Sequence, residues 1–211
     1  SYVIHQGGQP HRLAAHGVRD LTSGEPMAMD TIFRIFSLTK PVTAAAVMIL
    51  VEEGMVALGD PASRWIPALD EMEVLVDPEH PEGDREPLAR PITVFDLLTH
   101  ACGIPSGVFD NVPLERVYRE ADVRRLPFAQ RMAKMATLPL EFQPGTAWRY
   151  GDQYDVLAYL VQLASGVPFD RFVEKRILGP LGMHDTGFYV PDAKADRLAQ
   201  LYSHPDSGDL T

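Results

Sequence analysis

The sequence predicts an α+β fold. Short extended apolar segments sit at the front of the 211 residues, helical apolar spacing dominates the second half, and a hydrophobic share of 45% is enough for a packed core. Eighteen prolines and sixteen glycines are too few for a disordered, low-complexity chain.

Tyr2–His5 and Arg12–His16 flank Gly7-Gly8-Gln9-Pro10, the pattern of a hairpin closed by a glycine turn. Thr31–Phe36 reads as a third extended stretch. A helix follows from about Lys40 to Glu53, stopped by Gly54. Pro41 has no N–H to give, so it belongs in that helix's first turn, which makes Ser37 to Lys40 the helix entrance. The run Ala44 to Val51 is apolar on every side and predicts a central, fully buried helix. The polar stretch between Glu71 and Arg90 reads as an exposed loop, the tip of a hairpin. Thr93 with Asp96 forms a capping-box pattern opening a short helix through Leu98. Pro127–Thr137 is amphipathic. Asp155–Ala164 sets Val156, Leu157, Leu160, Val161 and Ala164 on one face and stops at Gly166. Phe169, Phe172, Val173, Arg176 and Ile177 give another helical stripe before Gly179-Pro180. Ser203 to Gly208 reads as a polar turn, and no internal repeat is present.

Several function classes fall away. The net charge is −10, from 29 acids against 19 bases, and offers no basic stripe for nucleic acid. The longest apolar run, Ala44 to Val51, is far short of the roughly 20 residues a bilayer requires, so no membrane span is expected. Cys102 is the one cysteine, which excludes an internal disulfide and a cysteine-built zinc site. Such usage suits a reducing compartment and points to the cytoplasm, but it also fits a periplasmic or secreted protein, an alternative left open because the chain begins without a methionine. The seven histidines form no metal-binding spacing. No metal and no cofactor is expected.

Ser37-Leu38-Thr39-Lys40 places a hydroxyl and an amine three apart at a helix entrance. Residues at that spacing project from one face, their Cβ atoms roughly 5–6 Å apart. Free backbone N–H groups and the positive end of the helix dipole favour an anion forming there, as acyl transfer requires. An N-cap serine beside a surface lysine would leave the same letters, and a chain of this length holds about one such pattern by chance. What favours chemistry is position, because this lysine opens a wholly apolar helix. Tyr150 follows a Pro144-Gly145 turn on a loop ahead of a helix. Alone it is a packing residue. Paired with Lys40, its phenol gains a cation that favours the ionised form.

These residues carry a family resemblance. Ser37-Leu38-Thr39-Lys40-Pro41-Val42-Thr43-Ala44 resembles the nucleophile helix of the serine β-lactamase and penicillin-binding protein superfamily. Leu97-Leu98-Thr99-His100-Ala101-Cys102-Gly103-Ile104-Pro105 is similar to its L-L-T-H-T-S-G-L-P segment, and Gln143-Pro144-Gly145-Thr146 through Trp148 to Tyr150 to its approach to a catalytic tyrosine. Pro180-Leu181-Gly182-Met183-His184-Asp185-Thr186-Gly187-Phe188 is similar to its P-L-G-M-x-D-T-x-F segment. All four stand in the family's order.

The tyrosine resembles the class C branch, which holds β-lactamases, D-amino-acid peptidases, carboxylesterases and acyltransferases. The resemblance implies a β-lactamase-like fold, an antiparallel sheet flanked by helices beside a mainly helical lobe. The front of the first lobe would occupy residues 1–60 and the helical lobe residues 61–211. It also implies Ser37 as nucleophile, its backbone N–H as half an oxyanion hole, Lys40 as electrostatic partner and Tyr150 as general base. Phe109, Trp148 and Asp152 are candidate pocket residues, with core packing open for the two aromatics and helix capping for Asp152.

Two departures bear on the reaction. Asp152 stands where lactamases carry asparagine, and an ionised aspartate cannot donate to an acylamide carbonyl and would repel a lactam carboxylate unless turned away. The family's third motif, Lys-Thr-Gly or His/Trp-x-Gly on a later strand, has no match after Asp185. The C-terminal strands of the sheet are therefore expected to be missing from this chain, which alone would be inactive. The expected function is hydrolysis of small esters through an acyl-enzyme. The alternatives are β-lactamase or D-amino-acid peptidase, acyltransferase, and a non-catalytic penicillin-binding-like sensor. The expected partner is a small-molecule ester or amide, and the oligomeric state is not legible.

Overall fold

The computed structural model describes residues 1–109 and 111–202, so the polar turn expected at 203–208 lies outside the described residues. Contacts divide the chain into two compact units. One joins Ser1–Leu38 to the chain from Met183 onward; the other is Thr39–Gly182.

In the first unit, β1 (Tyr2–Gln6) and β2 (Gln9–Ala14) pair antiparallel, with a register shift between Ile4 and His5. The turn is two residues rather than four. Gly7 and Gly8 both take positive φ (60° and 76°), the conformation a tight hairpin demands, and Pro10 lies within β2 opposite His5. Thr31–Phe36 forms no strand. Within it Ile32 makes a single parallel bridge to Leu198, supported by Arg197, whose guanidinium binds the Asp30 carbonyl and the Asp185 carboxylate.

The second unit opens with α1 (Thr39–Glu52), in which Pro41 sits in the first turn as expected. Next come β3 (Glu73–Leu75) and β4 (Arg85–Pro87), an antiparallel pair at the base of the polar loop. Four helices complete it: α2 (Val94–Leu98), α3 (Pro113–Glu120), α4 (Phe128–Met135) and α5 (Gln153–Ser165). The chain then turns into α6 (Phe169–Val173) and a π-helical turn, Glu174–Leu178. The fold is thus α+β, and among the described residues each sheet has two strands. The boundary between the two compact units falls at 38/39, and α1 packs on α5 and α6 within the second.

Local rules account for the helix ends. Thr93 and Asp96 form the capping box at α2, and Gly166 ends α5 in the left-handed region at φ 69°. Burial of α1 differs from expectation. Thr43, Ala46, Val47 and Leu50 face the core, while Ala45 and Met48 on the opposite side are exposed. One helix face is enough to meet α5, whose Val156, Leu157, Leu160 and Val161 are buried as the periodicity required. After α6 the π turn steps five residues, so that Leu178 follows Val173 into the core and Arg176 swings out to pair with Glu53.

Candidate active site

The site is built where two chain segments run side by side. Glu141 N–H donates to the Gly103 carbonyl, Gly145 N–H to Ala101, Arg149 N–H to His100 and Asp152 N–H to Pro105. These bonds fasten the stretch from His100 to Pro105 to the stretch from Glu141 to Asp152, which draws together two of the segments the sequence singled out. Their contact leaves no room for side chains. A Cβ at Gly151 would stand 2.0 Å from the Ile104 carbonyl oxygen, and one at Gly103 would stand 2.6 Å from that of Phe142. At the outer end Arg90 forks onto Asp96 at 2.6 and 2.9 Å. Burial opposes ionisation of Asp96, but the bonds from Arg90 and Thr93 outweigh it and hold its pKa below the ordinary value.

This arrangement carries Tyr150 to the first turn of α1, where Lys40 Nζ donates to its phenol oxygen at 2.7 Å. The same amine lies 4.5 Å from the ring centroid. A cation donating to a phenol oxygen stabilises phenolate over phenol, which is what a tyrosine base requires.

His100 lies against the other side of this assembly, a role sequence reasoning missed although the residue stood in a motif. Its ring stacks on Tyr150 at 5.0 Å and 22°, and contacts Tyr154 at 5.2 Å. Hydrogen-bond accounting fixes its tautomer. Gln153, fully buried, donates its amide to the carbonyls of Ile104 (2.8 Å) and Arg149 (3.0 Å), so its oxygen is left to accept from His100 Nδ1–H at 2.7 Å. Burial, with the nearby Lys40 charge, lowers the His100 pKa below 6.5 against the opposing bond from Gln153.

Ser37 is exposed in the 3₁₀ turn Phe36–Leu38 that runs directly into α1. The residue before it, Phe36, holds φ at 43°, a left-handed conformation that a bulky side chain rarely adopts. Of the two aromatics, neither is core. Phe109 is 44% exposed and presents its edge to Tyr150 at 6.0 Å and 71°; Trp148 is 65% exposed and meets the edge of His100 at 6.1 Å.

Asp152 differs from expectation. It occupies the N-cap position of α5 without making a side-chain capping bond, and it is buried. Arg124 forks onto its carboxylate at 2.6 and 3.0 Å, and Arg131 binds it at 2.8 Å. With both oxygens taken by guanidinium groups, its carboxylate is held by protein partners.

A lysine–tyrosine pair at the start of α1, in an α+β chain, is the arrangement that the resemblance to a β-lactamase-like class of protein leads one to expect. The chain belongs to the β-lactamase family, whose model, described as Beta-lactamase, matches residues 1–211. It is 44% identical over 190 residues to Protein Rv1367c of Mycobacterium tuberculosis, covering 88% of this chain and 46% of that one. It is 35% identical over 207 residues to Esterase EstB of Burkholderia gladioli, covering 95% and 49%. Among solved structures, "EstCE1, a hydrolase with promiscuous acyltransferase activity" superposes with a TM-score of 0.82 at 27% identity, covering 99% of this chain and 52% of that one. The chain spans about half the length of the curated relatives it matches.

Proposed function

We propose that the complete protein is a serine hydrolase of small carboxylic esters, acting through an acyl-enzyme. The observation that carries this reading is the 2.7 Å bond from Lys40 Nζ to Tyr150 Oη, which joins two of the three proposed catalytic residues. The Tyr150 phenolate takes the Ser37 hydroxyl proton as Oγ attacks the ester carbonyl carbon. The Ser37 N–H, at the helix entrance, donates to the oxyanion that forms. Collapse of the tetrahedral intermediate breaks the bond to the alcohol, and Tyr150 returns the proton to the leaving oxygen. Water then gives a proton to Tyr150 and attacks the acyl carbon, and Ser37 recovers its proton as the acid departs.

The likeness to Esterase EstB supports ester cleavage, and that to the hydrolase EstCE1 supports hydrolysis. Asp152 no longer bears on the choice between ester and lactam, since its charge is matched by Arg124 and Arg131. Transfer of the acyl group to an alcohol is the second reading, favoured by the likeness to EstCE1. The test is turnover of p-nitrophenyl butyrate and of a chromogenic cephalosporin by the complete protein, with Ser37→Ala beside it. Esterase activity lost in Ser37→Ala is expected. Activity that persists in the variant, or turnover of the cephalosporin alone, would overturn the reading. An added alcohol that captures the acyl group identifies transfer.

A further inference from the structure

Helix α3 grips the loop that presents Phe109. Glu115 and Arg119 lie four residues apart and so share a helix face. The Glu115 side chain is fully buried, and its carboxyl oxygens accept from Ser106 N–H (3.3 Å), Ser106 Oγ–H (2.9 Å) and Val108 N–H (3.1 Å). One turn on, Arg119 donates from Nε to the Gly107 carbonyl (3.1 Å) and from Nη2 to the Phe109 carbonyl (2.8 Å). The acid therefore takes the loop's N–H groups and the base takes its carbonyls, alternately along four residues. Gly107 permits the close approach: its φ is 72°, and a Cβ there would meet Arg119 N at 3.0 Å. The helix itself is anchored by buried Leu114 and by Tyr118, whose phenol donates to the Pro139 carbonyl at 3.1 Å.

A buried carboxyl group in an otherwise apolar helix face is costly unless its bonds do something a hydrophobic side chain cannot. Here they fix the backbone that displays exposed Val108 and Phe109, the latter beside Tyr150. In the reaction proposed above, Tyr150 must reach the oxygen of the departing alcohol, so a side chain bordering Tyr150 borders that alcohol. We propose that Glu115 and Arg119 are positioning residues that hold Phe109 as the apolar wall for the alcohol portion of the substrate, and that the protein thereby favours esters of aromatic or bulky apolar alcohols. This inference rests on the esterase reading.

The experiment compares ethyl acetate with benzyl acetate, two esters that share an acyl group, using the complete protein. The wild type is expected to prefer the benzyl ester in kcat/KM. Arg119→Met, a change at an exposed side chain, is expected to shrink that preference about fivefold, mainly by raising KM for the benzyl ester. Phe109→Ala is expected to abolish the preference, with Arg119→Met adding nothing on top of it. Glu115→Gln, which replaces one of the two accepting oxygens with an amide nitrogen, is expected to act in the same direction. Hydrogen exchange over residues 104–109 reads the grip independently of turnover and is expected to quicken in Arg119→Met. Faster exchange with an unmoved ester preference would overturn the wall, as would an equal loss on both esters. Unchanged exchange would overturn the grip. A wild type that turns over neither ester refutes the esterase reading and the wall with it, and exchange alone then decides the grip.

Discussion

Lys40 Nζ reaches both the oxygen of Tyr150, at 2.7 Å, and the face of its ring, 4.5 Å from the centroid. A single amine thus holds the phenol by its oxygen and its ring. Replacing Lys40 with Met keeps most of the apolar stem and removes both contacts. On the proposed esterase reading, the complete protein carrying this change is expected to keep its far-ultraviolet circular dichroism and to lose on the order of 10²- to 10⁴-fold in ester kcat/KM, the range for removing assistance to a general base. A rate within a few-fold of wild type would remove Lys40 from the chemistry.

His100 gives the site a pH response of known sign. Its folded-state pKa lies below 6.5, chiefly through burial, so the folded protein binds that proton less readily than the unfolded chain. The stability that depends on neutral His100 is complete above about 6.5 and is lost as pH falls from there through the lower folded value. In an NMR titration His100 is expected to protonate below the ordinary histidine value of 6.5. His100→Asn is expected to flatten the fall in denaturation midpoint between pH 7 and 5. An equal fall in wild type and variant would show that other groups govern it.

What could be read from the sequence was what short-range rules decide. The capping box at Thr93 and Asp96, the first-turn Pro41 and the left-handed stop at Gly166 all depend on a few adjacent residues. Helix α3 escaped because Glu115 puts a carboxyl group on the buried face and breaks the apolar stripe between Leu114 and Tyr118. A signal was present in Pro113 at the helix start, with Leu114, Val117 and Tyr118 at helical spacing. Burial of α1 was overread because an all-apolar helix does not say how many of its sides find a neighbour. At the site, Lys40 and Tyr150 are 110 residues apart, and no spacing rule joins them. Family resemblance paired them. The partners of Asp152 are as remote: Arg124 and Arg131 come from another turn and another helix, which is why a buried ion-pair junction read as a pocket residue.

Gly151 tests the fastening of the two segments. A methyl group at this position would lie 2.0 Å from the Ile104 carbonyl oxygen and within 2.8 Å of the Pro105 carbonyl, both backbone atoms that cannot rotate away. Gly151→Ala is expected to cost on the order of 3 kcal/mol in a denaturant titration, comparable to the stronger cases of overpacking. Gly7→Ala makes a useful contrast, since nothing lies within 4 Å of its added carbon and only the strain of its φ of 60° is felt. A loss at Gly151 no larger than at Gly7 would mean the two segments separate at little cost.

Asp152 separates a stability role from a specificity role. Its side chain is only 6% exposed, and Arg131, at 8%, depends on it for charge balance. Arg131 Nε is already buried without a hydrogen-bond partner, so this guanidinium has little in reserve. Asp152→Asn keeps the shape, removes the charge and leaves Arg131 with Asp155 as its remaining ion-pair partner. The variant is expected to lose about 3 kcal/mol of stability, the cost of breaking a buried pair from one side. The asparagine that lactamases carry would then be in place, yet its amide would face the arginines rather than a substrate. Relative rates on an ester and on a cephalosporin are therefore expected to stay within a few-fold of the wild-type ratio, measured below the variant's unfolding temperature. A gain in cephalosporin turnover with stability intact would return Asp152 to the substrate pocket.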